Sequence, residues 1–207
     1  MSSEIAKLDC EKLKGLNMET TQIVLVIFIL AIVLYNYSGL YISRKSGAKI
    51  PFWSSIIKGK DYTYYLIYGS YLALLIAGVL VILREEYRLP LTIAGFVVIL
   101  LSIVINLMAR QELARNWSPL AGTNTEQSLI KTGIYAHIRH PIYTSALLLS
   151  LGFALITSSL WGLALFILAL IAFVVRINAE EKALLAKFGV EYQEYAQKTG
   201  ALFPKLH

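Results

Sequence analysis

Cysteine is almost missing from this chain. Cys10 is the only one in 207 residues, so neither an intrachain disulfide nor a cysteine-based metal cluster can form. Histidine is nearly as scarce. His137 and His140 have no matching third ligand set, so no metal site is expected. Gly133 stands alone, which excludes a dinucleotide fingerprint, and no soluble βαβ unit exists to carry one. There is no Gly-x-Ser-x-Gly elbow and no P-loop. No internal repeat, low-complexity tract or soluble second domain is visible, so residues 1–207 are expected to form one membrane domain, with spans in 1–115 and the ligand-binding core in 116–207. Charge is scarce too, at 15% of residues against about a quarter in a soluble domain.

Apolar residues fill the space that charge leaves. They make up 57% of the chain and are clustered, which reads as an all-α, polytopic membrane protein. Five runs can span: Thr21–Ile42, Tyr62–Leu83, Leu89–Ala109, Ile142–Ser158 and Leu160–Val175. The last two are short, yet a single helix through both would be roughly 50 Å long, far beyond a hydrocarbon core of about 30 Å. Ser158–Ser159, followed by Trp161–Gly162, is the expected turn of a tight hairpin, with short cytoplasmic helices after it.

Five spans place loop one, loop three and the C-terminus on one side. That side holds fourteen of the 19 Lys and Arg, which makes it cytoplasmic and puts the N-terminus opposite. The net charge of +6 is then topology, helped by anionic lipid, and calls for no nucleic-acid partner. The first apolar run is too long for a secretory signal core and reads as a retained span. Residues 1–19 have apolar positions at helical spacing and suit a short surface helix. Within the spans, Asn36 is expected to bond a neighbouring helix, and Gly69 and Gly78 to permit close helix contact. Leu202–Phe203–Pro204 suits a lid or plug.

Two polar clusters flank the expected hairpin. The first is Arg139–His140–Pro141–Ile142–Tyr143. An ordinary helix start explains it: a basic anchor, Pro in the first turn, Tyr in the aromatic belt. The same geometry also suits a ligand. Free N–H groups at a helix start favour a carboxylate, His140 adds a donor, and the Tyr143 ring can meet a cation. The second cluster is Arg176, Glu180 and Glu181. Arg176 and Glu180 lie four apart on one helix face, either as a surface ion pair or as a site where carboxylates accept hydrogen bonds from an amino group or ribose.

Taken in order, these pieces resemble the isoprenylcysteine carboxyl methyltransferases, a family of membrane enzymes. The shared pattern is Asn116–Trp117–Ser118, Leu129–Ile130, Gly133–Ile134–Tyr135, RHPxY at Arg139–Tyr143 and R-x₃-EE at Arg176–Glu181. It continues through FGxEYxEY at Phe188–Tyr195 and ends in TG and LFPK at Thr199–Lys205. The resemblance covers residues 110–207 and implies S-adenosylmethionine as cofactor. It implies cofactor contacts at Gln127, Ser128, Leu129, Ile130, Tyr135, His140, Pro141, Ile142, Tyr143 and Glu180, and a substrate-carboxylate contact at Arg176, the residue expected to orient the reacting group. It implies a lipophilic, prenylcysteine-like acceptor drawn from membrane lipid, carboxyl O-methylation, and no metal. Ser145 departs from the pattern, since many relatives have Gly there, and this bears on substrate shape. A phospholipid, amine or thiol methyltransferase stays open, with Glu181 as base for an amine. A sterol-type membrane reductase using NADPH and a non-catalytic scaffold also stay open.

Overall fold

The computed structural model describes residues 19–37, 41, 62–84, 86–113 and 129–205. The surface helix expected within residues 1–19 lies almost wholly outside them. So do most of loop one, the Asn116–Trp117–Ser118 stretch, and Gln127 and Ser128.

Among the described residues the fold is all-helical apart from an isolated parallel bridge between Ile138 and Gly200. Helix α1 is Glu19–Tyr37, α2 is Tyr62–Leu83 and α3 is Leu89–Leu113. A 3₁₀ turn at Gly133–Ala136 leads to α4, Pro141–Thr157; α5 is Leu160–Phe188 and α6 is Val190–Lys198. Helices α1, α2, α3 and α5 are long and apolar enough to cross a membrane. The 17 residues of α4 are apolar but reach only about 25 Å at 1.5 Å each.

Pro141 occupies the first turn of α4, where a missing N–H breaks no helical bond. Two residues then turn the chain into α5. Ser158 takes the left-handed conformation (φ 49°), and the Ser159 hydroxyl accepts a hydrogen bond from the Gly162 N–H at 3.1 Å. Helix α5 departs from expectation. The apolar run to Val175 and the polar segment after it form one continuous helix of 29 residues, about 43 Å long. The charged end of α5 is therefore a rigid extension of the apolar part.

Phe28 of α1, Leu74 and Ile82 of α2, Ile99 of α3, and Leu149, Phe153 and Ile156 of α4 form the core. The Phe28 and Phe153 rings meet at 5.1 Å. Apolar faces such as Ile23, Leu72, Leu100 and Ile171 point outward, as lipid-facing residues do. Asn36 bonds across to the Tyr71 hydroxyl at 3.3 Å and to its own Ile32 carbonyl. Gly78 receives the Phe28 ring, where a Cβ would lie 2.7 Å from Cζ. Gly69 has nothing within 4 Å of a Cβ position, so it makes no close helix contact there.

Helices α3 and α4 cross where Gly95 meets Gly152. A Cβ on Gly152 would sit 2.5 Å from Ile99 Cγ1 and 2.8 Å from the Gly95 carbonyl. Small residues permit such backbone approach, and apolar lipid supplies no hydrophobic force to replace the lost contact. Gly152→Val should cost about 1–3 kcal/mol through overpacking and lower the melting temperature in detergent. Gly69→Ala is the matched control and should leave the melt unchanged or slightly raised. Equal melts for both variants would show that the crossing is not close-packed.

Candidate active site

The two polar clusters meet through one hydroxyl. Arg176 is buried on α5, and its Nε–H donates to the Tyr143 hydroxyl at 2.9 Å. The Tyr143 O–H donates in turn to Glu180 Oε2 at 2.7 Å. The guanidinium carbon of Arg176 also lies 6.0 Å from the centre of the Tyr143 ring. Tyr143 thus stands between the charges of Arg176 and Glu180 as a bridge, instead of leaving a simple surface ion pair. Glu180 Oε1 has no hydrogen-bond partner among the described residues. Neither backbone N–H at Ile142 and Tyr143 has one there either, as helix geometry requires at the start of α4.

Neighbouring residues form a second link. His140 is buried, stacks on Tyr143 with ring centroids 5.6 Å apart, and meets Glu181 Oε1 through Nε2 at 3.2 Å. The hydrogen bond from His140 and the adjacent Arg139 guanidinium hold the Glu181 carboxyl at about 2, against the opposing effect of burial. An ionised carboxylate only accepts, so the facing His140 nitrogen carries the proton.

Arg139 was read as a basic anchor, but it is a clamp. Nε and Nη2 reach Glu181 Oε1 at 2.8 and 2.7 Å, and Nη1 donates to the Ala196 and Thr199 carbonyls at the end of α6. A cation at the C-terminal carbonyls of a helix is favourable. The main chain continues the join: Arg139 N–H donates to Gly200 O and His140 N–H to Ala201 O. Thr144 Oγ1 donates to Leu202 O at 2.8 Å. The residues after α6 are therefore strapped across the start of α4. Phe203 is 71% exposed, so it plugs nothing.

The 3₁₀ turn is fixed from both sides. Gly133 has φ +56°, and a Cβ there would strike the Glu112 carboxyl group, which accepts from Thr132 Oγ1. Tyr195 donates its hydroxyl to the Tyr135 carbonyl at 2.7 Å. Burial pushes the Tyr195 hydroxyl up to about 12 and Tyr135 higher still, so both stay protonated. Of the expected site residues, Tyr135, His140, Pro141, Ile142, Tyr143, Arg176 and Glu180 gather here. Leu129 and Ile130 are half-buried just before the 3₁₀ turn, and Gln127 and Ser128 lie outside the described residues.

Residues 91–191 match the family model described as phospholipid methyltransferase. The protein-S-isoprenylcysteine O-methyltransferase of Saccharomyces cerevisiae is 28% identical over 195 residues, covering 86% of this chain and 78% of that protein. The cobalt-zinc-cadmium resistance protein CzcN of Cupriavidus metallidurans is 37% identical over 79 residues, covering 38% of this chain and 37% of that one. The solved structure of a eukaryotic intramembrane Ras methyltransferase, isoprenylcysteine carboxyl methyltransferase, has the same fold, with a TM-score of 0.65 at 22% identity. The match covers 87% of this chain and 66% of that one. The chain is thus similar to isoprenylcysteine carboxyl methyltransferases in sequence over most of its length and in fold. Within such a methyltransferase, Arg139, Glu181, Asn106, Arg110 and Ser145 are polar residues that the sequence did not single out as a connected set. Arg139 and Glu181 sit inside the two recognised motifs, and that placement was the available signal.

Proposed function

We propose that this chain transfers the methyl group of S-adenosylmethionine to the carboxylate of a prenylcysteine-like acceptor. The observation that carries the reading is the Arg176–Tyr143–Glu180 relay, which joins an anion-binding guanidinium to an accepting carboxylate through one hydroxyl. Glu180 Oε1 suits the amino group or ribose of the cofactor, and the start of α4 suits its carboxylate. Leu129, Ile130, Tyr135, His140 and Pro141 complete the cofactor contacts, together with Gln127 and Ser128. Arg176 holds the acceptor. In this reading α4 is a fifth span paired with α5, the site faces the cytoplasm, the N-terminus lies opposite, and the acceptor arrives sideways from the bilayer.

Bound there, the cofactor supplies an electrophilic methyl on a sulfonium. A carboxylate oxygen forms the new bond, the sulfur–methyl bond breaks, and no proton is released. The chain needs to position both reactants and exclude water, and it needs no base. The family model's description favours a second reading, an amine or phospholipid acceptor. An amine must lose a proton, and Glu181 is a poor acceptor for it, held at about 2 and bonded to Arg139 and His140.

Methyl-labelled S-adenosylmethionine offered with prenylcysteines, phospholipids, amines and thiols separates these readings. A methyl ester releases its label as methanol in alkali, whereas N-methyl and S-methyl products do not. Label should appear in the alkali-labile fraction of prenylcysteine reactions. Label only in alkali-stable products would overturn carboxyl methylation. Calorimetric binding of NADPH, with none of S-adenosylhomocysteine, would overturn methyl transfer altogether.

A further inference from the structure

The strap after α6 ends in a sharp turn that the proposed reaction does not use. It runs parallel to the chain entering α4, through the bridge of Gly200 to Ile138. Its carbonyls meet successively later residues. Gly200 O accepts from the Arg139 N–H at 2.8 Å, Ala201 O from the His140 N–H at 3.0 Å, and Leu202 O from Thr144 Oγ1 at 2.8 Å. Each step carries the strap further toward the apolar body of α4. The chain then reverses. A Cβ on Gly200 would strike the Phe203 carbonyl, so the turn closes on a residue without a side chain. Lys205 Nζ donates to Gln197 O at 2.7 Å, which ties the returning end to α6. Phe203 stands at the tip.

The height of that tip follows from α5. Arg176 comes directly after the apolar run of α5, whose Val174 and Val175 are exposed as lipid-facing residues are. Arg176 Nε donates to the Tyr143 hydroxyl, and the next residue, Thr144, holds Leu202. Phe203 therefore lies at the level where the apolar parts of α4 and α5 give way to polar residues. It is exposed there, and so are Pro204 and Lys205 beside it. An aromatic ring with a basic neighbour at that level suits the boundary between hydrocarbon and headgroups.

We propose that Phe203 is a bilayer anchor. Its ring sits in the interface of the surrounding phospholipid and holds the strap of residues 199–205 on the start of α4. The partner is the lipid surface itself. The anchor needs α5 to cross the membrane, and it does not need the methyl-transfer reading. A terminal segment held only by a few hydrogen bonds frays readily. An apolar tip in lipid adds a second hold at its far end. The strap in turn fixes the main chain of Arg139 and His140.

Spin labelling of the full chain in phosphatidylcholine nanodiscs tests this. In a Cys10→Ser background, Phe203→Cys, Val174→Cys and Glu194→Cys each place one nitroxide. Oxygen concentrates in lipid and a nickel chelate in water, so their effects on relaxation report the depth of each label. Val174 should favour oxygen, and Glu194, exposed on α6, should favour the chelate. Phe203 should follow Val174. A label at Phe203 that follows Glu194, or that neither agent reaches, overturns the proposal. So does a water pattern at Val174, which removes the level on which the tip is placed. A second readout needs no label. Phe203→Ser should raise trypsin cleavage after Lys198 about tenfold in nanodiscs, and Phe203→Leu should stay within about threefold of the wild type. Unchanged cleavage in a folded Phe203→Ser protein overturns the anchoring role even where the ring touches lipid. Wild-type protein that methylates no carboxylate acceptor rejects the proposed function alone, a result separate from any of these.

Discussion

Arg176→Ala should lower turnover by about 100- to 1,000-fold while S-adenosylhomocysteine affinity stays within about threefold. The loss corresponds to roughly 3–4 kcal/mol of transition-state stabilisation, the scale of one preorganised charged contact. Arg176 is buried just past the apolar part of α5 and donates to Tyr143. Removing it leaves the Tyr143–Glu180 and His140–Glu181 bonds in place, so the cofactor side keeps its partners. Lysine restores little, because a point charge on a flexible stem cannot hold both a tyrosine oxygen and a planar carboxylate. The measurements are single-turnover methyl transfer, calorimetry with S-adenosylhomocysteine and a thermal melt. Near-normal turnover in a folded Arg176→Ala protein would remove Arg176 from the reaction.

Some of this arrangement was legible because it is local. Arg176 and Glu180 share a face by helical period alone, and Ser158–Ser159 marks a turn because two hydroxyls interrupt an otherwise apolar run. The double use of Ser158 as a left-handed residue and Ser159 as a cap follows from the same pair. What stayed hidden depends on which faces pack together. Gly69 and Gly78 look equivalent in the sequence, yet nine residues is two and a half turns, so they point to opposite faces of α2 and only Gly78 meets the bundle. Tyr143 reads equally as a belt residue or a ligand contact, and its place between Arg176 and Glu180 follows only from the packing of α4 on α5. Asn106 and Ser145 are 39 residues apart, and each alone looks like a polar residue near a span end. Helix past Val175 was legible in the helix-favouring Ala, Glu, Lys and Leu, but its union with the span into one helix was not, because a change from apolar to charged residues reads as a boundary.

Arg139→Ala should disable the site without touching a reactant. The side chain is nearly buried, and it neutralises Glu181 while capping the carbonyls of Ala196 and Thr199. Its loss strands a partly buried carboxylate and releases the end of α6, costing about 3 kcal/mol. Residues 199–202 are bonded to the chain at Arg139, His140 and Thr144, so the strap should open and trypsin should cut at Lys198. S-adenosylhomocysteine binding should weaken by more than tenfold, because Glu181, the partner of His140, loses the guanidinium that fixes it. Glu181→Gln keeps an acceptor but no charge and should weaken binding less, and the double variant should cost less than the two single effects added. The pH dependence gives an independent readout. The Glu181 carboxyl falls from an ordinary 4.5 to about 2 on folding, so its stabilisation is complete above the ordinary value and disappears as pH falls through about 2. Wild-type protein should therefore lose thermal stability below roughly pH 4.5 more steeply than Glu181→Gln, with the two profiles parallel at higher pH. Parallel profiles throughout, together with additive single effects, would show that Arg139 and Glu181 are not coupled.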